Sequence, residues 1–177
     1  MKEIKIYVAN LGKYNEGELV GEWFTLPEDV NVIRKTIGLD YVENGKLIKT
    51  GYEEYAIHDY EAPFDISEYA SIERLNEIAK RIEEMNELDV KIACALVDNG
   101  IVSDIMDAFD EIENVNIYYD CNDMSDVAYA FYEETGMMEQ IPEQVRYYID
   151  WESVGRDMEI NGTFFYLGNN TYGEYIE

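Results

Sequence analysis

The side chains of this sequence that could do chemistry are mostly carboxylates. Asp104, Asp107 and Glu111 stand at i, i+3 and i+7, the spacing of one helical face, with Asp110 beside them. Three acids on one face could hold a hard cation such as Mg²⁺ or Ca²⁺ through oxygen. A calcium loop opening at Asp120 fails on its own pattern. Met124 takes the fifth position, Ser125 stands where Gly is required, and Phe131 replaces the bidentate Glu that closes such a loop. Gly12 to Leu19 matches the first half of a phosphate-binding loop, then places Glu18 where the Lys belongs and Leu19 where a hydroxyl belongs. Glu18 would repel phosphate. His58 is the only histidine, positioned to hydrogen-bond Asp59, and Cys94 and Cys121 share no metal or redox spacing. With no second His and no glycine-framed Ser, a zinc or nucleophilic centre has no residues to stand on. Among 39 acids nothing marks one pair for glycoside hydrolysis. The expectation is a protein with no catalytic residues, no cofactor and no metal.

The acids are concentrated rather than scattered. Ile92 to Val145 spans 54 residues with thirteen carboxylates and no Lys, Arg or His. Positions 1–91 carry 20 acids against 11 bases, and positions 92–177 carry 19 against 2, within a net charge of −26. Ordinary surfaces mix both signs because a one-signed field repels itself. Disordered acidic tails tolerate such runs but lack aromatics, whereas this stretch holds Phe109, Tyr118, Tyr119, Tyr129, Phe131 and Tyr132. It therefore reads as folded structure with a negative exterior. Direct binding to nucleic acid or to an anionic membrane is disfavoured, since both need cations; the expected partner is basic. No apolar window approaches the roughly 18 residues of a membrane span. The opening Met1-Lys2-Glu3-Ile4-Lys5 lacks a signal peptide's apolar run, so a cytoplasmic location with reduced cysteines is expected.

The elements that must position these acids follow from periodicity. Ile4, Ile6 and Val8 alternate as a strand, Asn10 to Gly21 reads as a loop, and Glu22 to Leu26 as a second strand closed by Pro27. Asp29 to Ile37 suits a helix stopped by Gly38. Asn44-Gly45 predicts a hairpin with Tyr41-Val42 and Leu47-Ile48 as arms, and Tyr52 to Tyr60 a further strand. Three helices are expected next, capped by Ser71, Asp89 and Ser103, the second stopped by Gly100. Val115 to Asp120 alternates as a strand, and Ser125 would cap a helix ending at Gly136. Further helices are expected from Pro142 to about Tyr148 and over Asp150 to Glu159. Asn161-Gly162 then turns into a closing hairpin with arms Thr163 to Leu167 and Tyr172 to Ile176. The fold class is α+β in three small domains: 1–70, an antiparallel sheet with one helix; 71–113, a helical unit; and 114–177, an acidic mixed sheet with helices.

Charge density suggests what such a surface could replace. Duplex DNA carries one charge per about 1.7 Å, so a net of 26 corresponds to roughly 44 Å of duplex, or about 13 base pairs. A dimer would double that length.

Several segments carry a specific likeness. Ile6-Tyr7-Val8-Ala9-Asn10-Leu11-Gly12-Lys13-Tyr14-Asn15-Glu16-Gly17, continuing Leu19-Val20-Gly21-Glu22-Trp23-Phe24, resembles the opening of the ArdA antirestriction proteins. So do Tyr52 to Glu61, Asp120-Cys121-Asn122-Asp123-Met124, Glu133-Glu134-Thr135-Gly136, Tyr148-Ile149-Asp150 and Gly155-Arg156-Asp157. Tyr41 to Lys49 looks like an added hairpin against that pattern. The resemblance covers nearly the whole chain in order. It implies a homodimeric DNA mimic encoded on mobile elements such as conjugative transposons, elongated, with three small domains in a row. Its partner would be the DNA-binding methyltransferase core of a type I restriction-modification enzyme. No catalytic residue carries over.

The contact surface expected on this reading comprises Asp98, Asp104, Asp107, Asp110, Glu111, Glu113, Asp120, Asp123, Asp126, Glu133, Glu134, Asp150, Glu152, Asp157 and Glu159. The alternative reading is a general acidic module that binds some other basic protein.

Overall fold

A computed structural model describes residues 2–176; Met1 and Glu177, the outer ends of the first and last expected domains, lie outside the described residues. Helices and antiparallel sheets alternate, so the class is α+β, as expected. The chain divides into two compact units, Met1–Val90 and Lys91–Glu177. A separate central unit is not distinguished by this division: the helix after Ser71 belongs to the first unit.

The first unit is built on a three-stranded antiparallel sheet of β1 (Ile4–Asn10), β2 (Gly21–Leu26) and β3 (Tyr55–Glu61), with β1 in the middle. Ile4, Ile6 and Val8 of β1 are buried, the alternation the sequence shows. Asn10 to Gly21 is not all loop. Asn10 caps a short helix, α1 (Leu11–Asn15), its side chain accepting from the Lys13 N–H at 3.0 Å while its own amide donates to the Ile37 carbonyl. A buried Asn that satisfies both ends of its amide fixes the loop to the core. Lys13 pairs with Glu16 and Glu18 and lies over the Tyr52 ring, so the phosphate-loop likeness ends in a neutralised lysine.

Asp29 caps α2 (Val30–Thr36). The hairpin of β4 (Tyr41–Glu43) and β5 (Lys46–Ile48) turns at Asn44-Gly45, both at positive φ as the two-residue turn demands. Ser71 caps α3 (Ile72–Glu84), which buries Ile72, Leu75, Ile78, Ala79 and Ile82 along one stripe. His58 is the extra residue of a β-bulge in β3. Its ring meets Tyr14 edge-on at 4.9 Å, while Asp59 instead accepts from the Tyr60 N–H. The division between units falls within α4 (Glu87–Asp98). Asn86, not Asp89, caps that helix, its Oδ1 accepting from the Asp89 N–H at 2.9 Å.

In the second unit Gly100 ends α4 in the left-handed conformation. After it come α5 (Ile105–Asp110), a 3₁₀ turn (Ile112–Asn114), β6 (Val115–Tyr118), α6 (Met124–Glu134), and the single turns α7 (Met137–Gln140) and α8 (Glu143–Arg146). The chain closes with α9 (Trp151–Asn161), β7 (Phe164–Gly168) and β8 (Thr171–Tyr175). The last strand of the chain, β8, is the centre of an antiparallel sheet of order β6-β8-β7. The final hairpin turns at Asn169 and Asn170, both at positive φ, a pair the sequence reading passed over. Asn161, read as a turn residue, is the last residue of α9.

The core of this unit gathers Tyr118, Cys121 and Val127 with Met124, Ala130, Phe131, Phe164 and Tyr172. Trp151 meets Tyr129 and Tyr132 edge-on at 5.4 and 5.3 Å, tying α9 to α6. Gly155 lets the two helices approach: a methyl group there would strike the Met124 carbonyl.

Candidate functional site

The second unit carries 19 acids against 3 bases, and its described carboxylates divide into two populations. The first holds the fold. Asp104 caps α5 by accepting from the Met106 N–H at 2.9 Å. Asp123 caps α6, accepting from the Ser125 N–H at 2.8 Å, the Ser125 hydroxyl and the Asp126 N–H. Asp150 caps α9 through the Ser153 N–H at 3.1 Å and its hydroxyl at 2.7 Å. At α5 and α6 the sequence reading gave the cap to a serine, Ser103 or Ser125. The carboxylate wins because an ionised acceptor makes the stronger bond to backbone N–H and also meets the positive end of the helix dipole. The Asp123 and Asp150 carboxyls are accordingly held below the usual carboxylate range, chiefly by the hydroxyls of Ser125 and Ser153 and then by backbone donors.

Three more acids complete this population. Asp126 accepts from the backbone and side-chain amides of Asn122, both at 2.8 Å. Glu111 accepts from Asn114 at 2.6 Å and from the Tyr175 hydroxyl at 3.0 Å. Glu174 accepts from the buried Tyr118 hydroxyl at 2.7 Å. Burial, then the bond to Glu174, pushes the Tyr118 phenol well above its ordinary value. Glu174 was not among the expected site residues. The sheet register places it opposite Asn116, diagonal to Tyr118, and that register was not legible from either strand alone.

The second population faces solvent. Asp98, Asp107, Glu113, Asp120, Glu133, Glu134, Glu152, Asp157 and Glu159 are exposed, as is Asp110. Glu139 and Glu143, outside the expected list, are exposed too and extend the surface across α7 and α8. Of the fifteen expected residues only Asp104, Glu111 and Asp126 are half-buried.

The i, i+3, i+7 helical row of Asp104, Asp107 and Glu111 does not form. The helix has six residues, and the two outer acids are its N-cap and C-cap. Among the described residues no group of three or more His, Cys, Asp or Glu side chains converges on a point that could hold a metal ion. Asp123, Glu152 and Glu159 do come together, with Arg156 and Tyr172, around an open depression of about 310 Å³. Arg156 offsets part of the charge there. Elsewhere the acids are distributed over α5, the 3₁₀ turn, α6 and α9 rather than focused. Such an arrangement presents many separate negative points along several elements.

The sequence pattern of the ArdA antirestriction proteins matches residues 6–172. This chain belongs to the ArdA antirestriction family. The match spans both units and ends within β8, so the acidic surface lies inside it. None of the curated proteins matches the sequence. Membership of ArdA carries antirestriction activity and an encounter with restriction systems. No helix among the described residues is long and apolar enough to cross a membrane.

Proposed function

We propose that this ArdA protein is a DNA mimic. It enters the DNA-binding cleft of a type I restriction-modification enzyme and inhibits it competitively, as a homodimer in the cytoplasm, without catalysing any reaction. The observation that carries the reading is the fate of the cation-free stretch from Ile92 to Val145. It folds into helices and a strand whose buried sides hold Phe109, Tyr118 and Val127, while Asp98, Asp107, Glu113, Asp120, Glu133 and Glu134 remain in solvent.

Residues along a helix rise by about 1.5 Å each, so acids three or four apart stand about 4.5–6 Å apart along the axis, the scale of backbone phosphates. A rigid array also loses less entropy on binding than a flexible polyacid of equal charge. The partner is then any cleft whose lysines and arginines are arranged for duplex, and the contact surface is the exposed population, with the capping acids holding it in place.

The test is a plating assay. Unmodified phage is plated on a host with an active type I system, with and without the protein expressed. Survival should rise with expression. Unchanged survival in the presence of accumulated, folded protein would overturn the choice of type I enzymes as the target.

A further inference from the structure

The sequence contains three Asn-Gly steps, Asn44-Gly45, Asn99-Gly100 and Asn161-Gly162, which a reading of sequence alone cannot rank. Asparagine followed by glycine is prone to deamidation, because no Cβ shields the attacking backbone nitrogen. Two of the three steps are held shut. The Asn99 amide donates to the Ala95 carbonyl at 2.8 Å and the Gly100 N–H donates to the Val97 carbonyl at 2.9 Å. The Asn161 amide donates to the Asp157 carbonyl at 2.7 Å and the Gly162 N–H to the Met158 carbonyl at 2.7 Å. In both places the leaving amide and the attacking nitrogen are tied to the last turn of a helix.

Asn44 is different. It occupies the exposed tip of the β4–β5 hairpin, and among the described residues nothing hydrogen-bonds its side-chain amide. Gly45 lies inside the two-residue loop, outside the ladder that pairs Glu43 with Lys46, and has open space around it. The base of the hairpin is anchored, which confines the freedom to the tip. Asp40 accepts from the Thr50 N–H at 2.6 Å and the Gly51 N–H at 3.1 Å, and the Val42 N–H donates to Asn31 at 2.8 Å.

We infer that Asn44 is a spontaneous modification site of the folded protein, converting to aspartate and isoaspartate while Asn99 and Asn161 are protected. Solvent base removes the Gly45 amide proton, and the nitrogen attacks the Asn44 side-chain carbonyl carbon. The new bond from that carbon to the Gly45 nitrogen closes a five-membered imide, the bond to the side-chain nitrogen breaks, and that nitrogen takes up a proton and leaves as ammonia. Water then opens the ring at either carbonyl, and no electrons are gained or lost. The product adds a carboxylate beside Glu43, whose partner across the hairpin is Lys46. The isoaspartyl form also lengthens the backbone inside a turn that requires Asn44 and Gly45 at positive φ, so it disfavours closure of the hairpin.

The full chain is incubated in mildly alkaline buffer at physiological temperature. Peptides covering each step are followed by mass spectrometry for the amide-to-acid mass gain, in native buffer and in concentrated urea. In native buffer the Asn44 peptide should convert several-fold faster than either other peptide, and in urea the three rates should converge. The Asn44→Gln variant should lose the fast conversion and leave the other two rates unchanged. Equal rates in native buffer, or faster conversion at Asn99 or Asn161, would overturn the inference. A ranking that persisted unchanged in urea would also overturn it, by assigning the difference to local sequence.

Discussion

Both units carry an excess of acid, and they differ in how much of it meets a cation. In the first unit carboxylates meet cations: Lys5 with Glu3 and Glu61, Lys13 with Glu16 and Glu18, and Lys35 with Glu43. In the second, carboxylates that need partners take neutral donors. Asp104, Asp123 and Asp150 accept from helix N-termini, Asp126 from Asn122, Glu111 from Asn114 and Tyr175, and Glu174 from Tyr118. Pairing with a lysine cancels a charge at long range, whereas accepting from an N–H or O–H leaves it in place. The first unit uses neutral donors too, at Asp29 and Asp40, but it also cancels charge in lysine pairs; the second unit gains structure from its acids while keeping most of its field.

Each unit has one tryptophan, Trp23 and Trp151, so replacing either with Phe leaves a reporter for the other. The largest expected effect is from Gly155→Ala. It forces α9 away from the Met124 carbonyl, and overpacking of this kind costs about 1–3 kcal/mol. Denaturant unfolding read at Trp151 should shift by that amount while the transition read at Trp23 stays put. Equal shifts at both reporters would show that the units are not separable.

Next in size is the cap. Asp123→Asn keeps an acceptor for the N–H groups of Ser125 and Asp126 and removes the charge; Asp123→Ala removes both. Asparagine should retain most of the stability seen by Trp151 and alanine should not. Acid titration sharpens this. Because the folded pKa values of Asp123 and Asp150 are depressed, their stabilisation is complete above the unfolded carboxylate pKa, about 4, and is lost as pH falls through the folded values. Asp123→Asn should flatten that acid limb. An identical limb in the variant would remove Asp123 from the account.

Salt separates the units more gently. Screening weakens repulsion among like charges and also weakens exposed ion pairs, which are worth little to begin with. Added NaCl should therefore raise the melting temperature read at Trp151 more than that read at Trp23. A steady fall at Trp151 from low to moderate salt would mean net favourable pairing in the acidic unit. The smallest effect is from Asp107→Asn, an exposed site where stability should change by no more than about 0.5 kcal/mol and inhibition should barely change. Abolished inhibition in a still-folded variant would point to a focused site rather than a distributed surface.

Much of this was legible in the sequence because local rules dominate where it was read. Ile4, Ile6 and Val8 alternate and are buried; Ile72 to Ile82 keep helical spacing and are buried; Asn44-Gly45 turns a hairpin. Two of the misreadings share one cause. At α5 and α6 a serine and an aspartate compete within two residues for the same cap, and only the backbone shows which one stands at the last extended position. That error carried into the site, since an acid assigned to an exposed helical row, Asp104, is a cap, and Glu111 is bound to Tyr175 from a strand 64 residues away. Exposure of the remaining acids followed from the scarcity of cations after Lys91, where only Arg146 and Arg156 remain. The role of Glu174 depended on strand register, which no single segment encodes.

If the acidic surface of the second unit stands in for duplex DNA, binding of the two must be mutually exclusive. The direct measurement is displacement of a labelled duplex from a type I methyltransferase core by this protein across a salt series. Full release of the duplex without a ternary species is expected, with affinity for the core falling linearly in log–log form as salt rises, as for DNA itself. A stable ternary complex, with the duplex still in the cleft, would contradict the account and favour a general acidic module bound elsewhere on the enzyme.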